Sequence, residues 1–331
     1  MAAALRPGRD GDTAGFIALI GACWAEYPGC ILDVDGELPE LRALASHYTH
    51  KGGALWAAED AGRIVGMIGT APLGDGAWEL TKVYVDAAYR GTGLAQTLMA
   101  TAETHARTAG AQDFKLWTDT RFDRAHRFYE KRGYVRAGPI RVLQDISNSL
   151  EFPYMKPARG VAVRQLDAAG ATSAERALAD ILRACGDAGA AVSFLPPLAA
   201  ETARAFYHRL ARDVAAGTRV LLAGWVDGVL AGTVTLDCAT PMNQPHRADV
   251  QKMLVHPAAR RRGLARALMQ TLEDAARTQQ RTLLTLDTRA GDAAEPLYRS
   301  LGYQEAGRIP NYALNADGTK HTTVIYWKEP R

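Results

Sequence analysis

The sequence predicts a mixed α/β protein of the α+β kind, in which one fold is used twice in tandem. Three observations carry this expectation. The chain has 331 residues, a length that suits two domains. It repeats itself at a spacing near 170 residues. Each copy also shows the same order of helical and strand patterns. Residues 78–86 align with 248–256, so that Glu79 falls over Asp249, Lys82 over Lys252, Val83 over Met253 and Val85 over Val255. The register holds through Arg90 over Arg260, Gly93 over Gly263, Leu98 over Leu268 and Glu103 over Glu273. Further on, Asp119 matches Asp287, Tyr129 matches Tyr298 and Gly133 matches Gly302, with the spacing drifting by one or two residues. Such drift is what loops produce in two divergent copies.

Taken in order, each copy opens with a strand, residues 3–6 and 161–166. Helical patterns follow at 12–25 and 38–48, then at 171–187 and 200–216. Two strands joined by a tight turn come next, 55–59 with 64–68 and 220–226 with 229–236; Asp227-Gly228 is a hairpin signal. A third strand, 80–85 or 250–255, leads into a basic, glycine-containing turn. The helix after that turn is amphipathic, with Leu94, Leu98, Ala102 and Ala106 on one face, and Leu264, Leu268, Leu272 and Ala275 on its counterpart. A strand, a short helix ending at a glycine and a final strand pair complete each copy. Pro153, Pro157 and Gly160 punctuate the junction, giving expected domains at 1–156 and 160–331.

Composition excludes several classes. A hydrophobic fraction of 47% and a charged fraction of 23% argue against disordered and fibrous chains. The net charge of +3, from 39 basic and 36 acidic residues, leaves no electrostatic footprint for nucleic acid or an anionic membrane. Cys23, Cys30, Cys185 and Cys238 show neither a disulfide framework nor zinc-site spacing, so no metal is expected and the thiols read as free in a reducing compartment. No signal-like run opens the chain and no stretch approaches the roughly 20 apolar residues of a membrane span. A cytoplasmic protein is the expectation.

The chemistry concentrates in the repeated turn. Arg90-Gly91-Thr92-Gly93-Leu94-Ala95 and Arg260-Arg261-Arg262-Gly263-Leu264-Ala265 each lie between a strand end and a helix start. A helix N-terminus offers free N–H groups and positive potential, glycine admits close backbone approach, and arginine adds fork-shaped donors. These suit a pyrophosphate. A single such turn would equally be an ordinary tight turn with solvated arginines; its duplication favours the ligand reading. No Gly-Lys-Ser/Thr follows, which excludes a P-loop, and the late position with no third glycine excludes a dinucleotide fingerprint.

With those turns, the Val-x-Val strand ahead of the first and the tyrosine-containing helix ending in Gly-Tyr, both halves resemble the GNAT superfamily of acetyl-CoA-dependent N-acetyltransferases. The second half, through residues 246–255, 285–291 and 310–318, is similar to the tabtoxin-resistance type; residues 116–122 of the first half resemble another branch. The resemblance implies two tandem folds, each a mixed sheet of six or seven strands flanked by helices, with acetyl-CoA as cofactor and a small-molecule or amino-acid-like amine as acceptor. It implies that the turns hold the coenzyme pyrophosphate, with Arg261 either solvated or near the ribose phosphate. The N–H groups of Val83 and Met253 would face the thioester carbonyl, and Val85 and Val255 would pair with the pantetheine. Tyr129 and Tyr298 would protonate the leaving thiolate, although packed helix-face tyrosines read the same way. Glu79 and Asp249, four residues before Val83 and Met253, would lie on the same strand face and take the amine proton, with Asp287 sharing that task and Asp119 its counterpart. A strand-end acid also serves as a cap or ion-pair partner. Phe122 and Gly291 stand where the family often has asparagine. His105, His126, His246 and His256 are alternative bases, but none recurs in the other copy. Protein or peptide acetylation, and a non-catalytic coenzyme-binding unit, are the competing functions.

Overall fold

The computed structural model describes residues 3–330. Contacts group the chain into two compact units, Met1–Tyr129 with Gly138–Arg159, and Glu130–Ala137 with Gly160–Arg331.

In the first unit β1 (Ala4–Pro7) precedes α1 (Thr13–Trp24) and α2 (Leu44–His50). The expected helix at 38–48 is split. A 3-10 turn at Pro39–Ala43 ends at Ala43, whose φ of −145° and ψ of 56° are not helical, and α2 starts after it. Then come β2 (Ala54–Asp60), β3 (Arg63–Gly74), β4 (Ala77–Val85), α3 (Leu94–Thr108), β5 (Asp113–Asp119) and α4 (Asp123–Lys131). The two-residue strand β6 (Val135–Arg136) falls in the segment grouped with the second unit, while the two-residue strand β7 (Arg141–Val142) precedes β8 (Leu150–Pro157). The sheet runs β1-β2-β3-β4-β5-β8. It counts eight strands rather than six or seven, because β6 and β7 are added.

The second unit repeats the plan with β9 (Val161–Leu166), α5 (Ala168–Asp187), α6 (Ala200–Ala215), β10 (Arg219–Val226), β11 (Val229–Asp237), β12 (Arg247–Val255), α7 (Leu264–Thr278), β13 (Leu283–Arg289), α8 (Glu295–Ser300), β14 (Gln304–Leu314) and β15 (Lys320–Lys328). Its seven-stranded sheet runs β14-β15-β13-β12-β11-β10-β9. Leu264, Leu268, Met269 and Leu272 of α7 pack on Val234, Leu236, Val250 and Leu284, all buried. At about 1.5–3 kcal/mol for each fully buried aliphatic side chain, this face holds α7 to the sheet.

Two features of each sheet position the site. The first is a parallel strand pair that stops short. β4 and β5 are in register only from Ala77↔Asp113 to Glu79↔Lys115, and β12 and β13 only from Arg247↔Leu283 to Asp249↔Thr285. Beyond those residues the strands part. The second is a bulge just past the parting. The β3–β4 register passes from Gly69↔Thr81 to Met67↔Tyr84, and the β11–β12 register from Thr235↔Gln251 to Thr233↔Leu254. Lys82 and Lys252 occupy the bulges with φ of 52° and 51°. A bulge inserts one residue, bends the strand and leaves that residue out of the ladder.

An ion pair, buried in the first unit and half-buried in the second, ties the helix after the turn to the last strand of each unit. Lys156 Nζ of β8 donates to Glu103 Oε1 of α3 at 2.8 Å, with both side chains under 5% exposed. Lys328 Nζ of β15 donates to Glu273 Oε2 of α7 at 2.6 Å. Removing one partner of a buried pair leaves an uncompensated charge, whereas replacing both by apolar residues is close to neutral. Glu103→Ala is therefore expected to cost the first unit about 3–5 kcal/mol, and Glu103→Met with Lys156→Met far less. Scanning calorimetry of the three proteins checks the ordering.

Candidate active site

The turn before α3 ends at Gly93, the N-cap residue, with φ of 94°; the turn before α7 ends at Gly263 with φ of 85°. Neither helix start has a side-chain cap, so the first-turn N–H groups are not satisfied from their own N-cap. A Cβ at either glycine would meet nothing within 4 Å, so the backbone fronts open space. Two positions earlier, Gly91 and Arg261 are both left-handed, with φ of 78° and 63°, so the turn shape repeats where the residue does not. Thr92 Oγ1 donates to Tyr89 O at 2.7 Å and fastens the first turn. Leu94 and Leu264 point the other way: Leu264 is buried in the α7 core.

The arginines that open the turns differ. Both reach back to the strand end: Arg90 Nε donates to Val85 O at 3.3 Å and Arg260 Nε to Val255 O at 3.4 Å. Arg90 is also gripped by Glu26 through contacts of 2.5 and 2.7 Å. Arg260 forms no ion pair among the described residues, while Arg262 pairs with Asp227 at 2.6 Å. Sequence reading missed one repeated feature here. Cys23 of α1 and Cys185 of α5 each place Sγ against the same carbonyls, at 3.7 Å from Val85 O and 3.3 Å from Val255 O. These two cysteines are spaced by fewer residues than the rest of the repeat, which hid the match.

In the first unit a cavity of about 300 Å³ gathers Val83, Val85, Arg90, Gly91, Ala95 and Tyr129, together with Cys23 and Phe122. A smaller one of about 140 Å³ shares Val83 and Tyr129 and adds Lys82, Asp119 and Asp145. Thr92, Gly93 and Leu94 line neither. Burial raises the Tyr129 phenol well above its ordinary range, so it stays protonated at neutral pH. Burial pushes the Asp119 carboxyl up, but hydrogen bonds from the Arg121 side chain and backbone outweigh it and hold the group below the usual range. Trp24 Nε1 donates to Tyr84 OH at 2.9 Å on the wall between the cavities.

In the second unit a cavity of about 310 Å³ gathers Lys252, Met253, Asp287, Asp292 and Tyr298. Tyr298 is 5% exposed, its phenol is raised by burial, and it makes no side-chain hydrogen bond among the described residues. Of the residues expected to hold a coenzyme, only Met253 lines this cavity; Val255, Arg260, Arg261, Arg262, Gly263, Leu264 and Ala265 lie outside it.

The two strand acids are not where the alternation placed them. Neither Glu79 nor Asp249 lines a cavity that holds Val83 or Met253. The bulge explains this: four residues along a regular strand return to the same face, but an inserted residue breaks the alternation. Burial raises the Glu79 carboxyl, opposed by the charge of Arg141. Asp249 is engaged by Arg247 at 2.5 Å and by the Thr285 hydroxyl. The histidines serve structure: His105 meets Trp56 and Trp78 edge-on, His126 Nε2 lies 2.9 Å from Asp119 O, and His256 Nδ1 accepts from Ala258 N.

Comparison with known proteins gives the following. The acetyltransferase (GNAT) family model matches residues 19–134 and again 177–303. N-acetyltransferase 8F1 of Rattus norvegicus is 28% identical over 125 residues, covering 36% of this chain and 54% of that protein. The uncharacterized N-acetyltransferase YjgM of Escherichia coli (strain K12) is 36% identical over 99 residues, 29% of this chain and 59% of that one. The chain thus spans about half the length of the curated relatives it matches. Among solved structures, yncA of Salmonella typhimurium, determined with its cofactor acetyl-CoA, is 19% identical with a TM-score of 0.44, covering 52% of this chain and 95% of that one. A GCN5-related N-acetyltransferase of Kribbella flavida gives 21% and 0.44, covering 51% and 98%.

All four cysteines are free, and burial raises each thiol. A raised thiol carries less thiolate at neutral pH and reacts slowly. Cys30, the one with appreciable exposure, is expected to be alkylated by iodoacetamide first, with Cys23 and Cys185 at least about tenfold slower. Peptide mass spectrometry over time checks the order.

Proposed function

This chain belongs to the acetyltransferase (GNAT) family, and from that premise we propose that it transfers an acetyl group from acetyl-CoA to the amine of a small acceptor. The observation that carries the reading is the coincidence, in both units, of a parted parallel strand pair with an uncapped helix start whose left-handed glycine fronts open space. Coenzyme A fits that pair of features. Its pyrophosphate suits the backbone N–H groups of 91–95 and 261–265, and its thioester arm suits the gap between the strands.

Acetyl-CoA, when bound, supplies an activated acetyl group as a thioester. The chain's own residues do the rest. Val83 and Met253 sit in the bulges, outside the ladder register, so their N–H groups are available to an acyl oxygen as negative charge develops on it. One preorganised donor of this kind is worth roughly 3 kcal/mol of barrier. Tyr129 and Tyr298 are protonated phenols lining the cavities, suited to deliver a proton to a departing thiolate. Asp287 in the second unit is the cavity carboxylate that receives the amine proton, directly or through water; Asp119 is its counterpart in the first. Glu79 and Asp249 act at most through these groups.

Calorimetric titration with coenzyme A is expected to give two sites per chain. A single site would confine the reading to one unit, and none would reject it. Tyr129→Phe combined with Tyr298→Phe should lower kcat by about 10²-fold with coenzyme affinity unchanged, because the phenol acts only as the thiolate leaves. An unchanged kcat would assign the proton to another donor.

A further inference from the structure

The two acceptor cavities are built from matching charges that are treated oppositely. In the first unit Lys82 and Asp119 both line the cavity, and both are neutralised within the protein. Lys82 Nζ pairs with Glu40 at 3.3 Å, and Asp119 pairs with Arg121 at 2.6 Å. In the second unit the equivalent Lys252 and Asp287 line the cavity with no ion pair of their own among the described residues. Lys252 Nζ donates to Ser193 Oγ at 3.0 Å, and the Phe194 and Phe206 rings stand 6.0 and 5.7 Å from it. One hydroxyl satisfies one of the three ammonium protons, and the rings displace water without supplying a counter-charge. Asp287 Oδ2 accepts from Thr323 Oγ1 at 3.1 Å, leaving Oδ1 uncommitted. The other charge in the cavity, Asp292, is held by Arg289 at 3.5 Å. What remains is one cation and one anion, close enough to influence each other yet not in contact.

We propose that the second unit takes a free α-amino acid as its acceptor, with Lys252 binding the carboxylate and Asp287 receiving the amine. The inference rests on the acetyl-transfer reading and names its substrate class. The bulge makes the arrangement possible, since the left-handed backbone at Lys252 turns its side chain out of the ladder and into the cavity. Burial lowers the Lys252 ammonium pKa while Asp287 opposes the shift; a carboxylate beside the ammonium would oppose it further. A volume of about 310 Å³ suits a small acceptor. A peptide N-terminus would satisfy Asp287 but bring only a neutral carbonyl to Lys252. A simple amine would leave the half-buried Lys252 without a counter-ion.

The test uses the full-length chain, acetyl-CoA and a panel of the common L-amino acids, each beside its carboxamide, which keeps size and amine but removes the negative charge. The accepted amino acid is expected to exceed its carboxamide by about 10- to 100-fold in kcat/KM, mainly through KM. Lys252→Met should collapse that preference, and Lys252→Arg should retain part of it. Carboxamides accepted as well as free acids overturn the proposal. So does a preference that survives Lys252→Met, or one that Lys82→Met removes in its place. Coenzyme A binding, measured on the same samples, separates the two levels. If coenzyme A binds but no amino acid is acetylated, the amino-acid assignment falls alone; if coenzyme A does not bind, the acetyl-transfer reading falls.

Discussion

The site in each unit depends on a single inserted residue in its central sheet. Lys82 and Lys252 adopt left-handed backbone in the middle of a strand, where a lysine gains nothing from that conformation by itself. The insertion removes Val83 and Met253 from pairing with one neighbour, just past the point where pairing with the other neighbour ends. A strand released on both sides exposes backbone donors inside a folded protein, which a regular sheet never does. The free N–H groups and the entry of a lysine into the cavity follow from that one irregularity, placed beside the opening where the parallel strands part.

Around this point the two units keep the same frame and differ in how they dispose of charge. Each has a left-handed turn ahead of its long helix, a cysteine against the carbonyl at the strand end, a buried tyrosine and a helix-to-strand ion pair. The first unit closes its charges on itself: Glu26 holds Arg90, Glu40 holds Lys82 and Arg121 holds Asp119. The second leaves Arg260, Lys252 and Asp287 without ionic partners among the described residues. Internal pairing of this kind costs desolvation but offers no handle to a ligand, whereas an open pair of opposite charges is a handle in both senses.

Much of the fold was legible because the repeat multiplied weak signals. The amphipathic helices at 94–108 and 264–278, the hairpins and the glycine turns all stood out by periodicity, and the structure has them where expected. Tyr129, Tyr298 and Asp287 were found in the same way and do line cavities. Glu79 and Asp249 were misplaced for a definite reason: an alternation rule assumes an unbroken strand, and a lysine flanked by ordinary strand residues gives no sign of a bulge. Lys82 over Lys252 was visible as a match, but its meaning is geometric. Arg121 has a counterpart in Arg289, but that arginine pairs with Asp292 and not with Asp287, a difference of partner that register comparison cannot show; Glu40 and Ser193 come from segments whose spacing differs between the copies.

The ion pair between the long helix and the last strand has a consequence for synthesis. Glu103 and Glu273 are translated more than fifty residues before their lysines. Until Lys156 has left the ribosome Glu103 has only Arg107 as a counter-ion, at 3.4 Å, and until Lys328 has left it Glu273 lacks the lysine it pairs with, so closing the core over either carboxylate is less favourable. The helix that begins at the glycine turn therefore gains its full hold on the sheet only when the final strand arrives. A chain cut short of its last strand is thus expected to hold that helix, and the turn at its start, less firmly than the finished unit does.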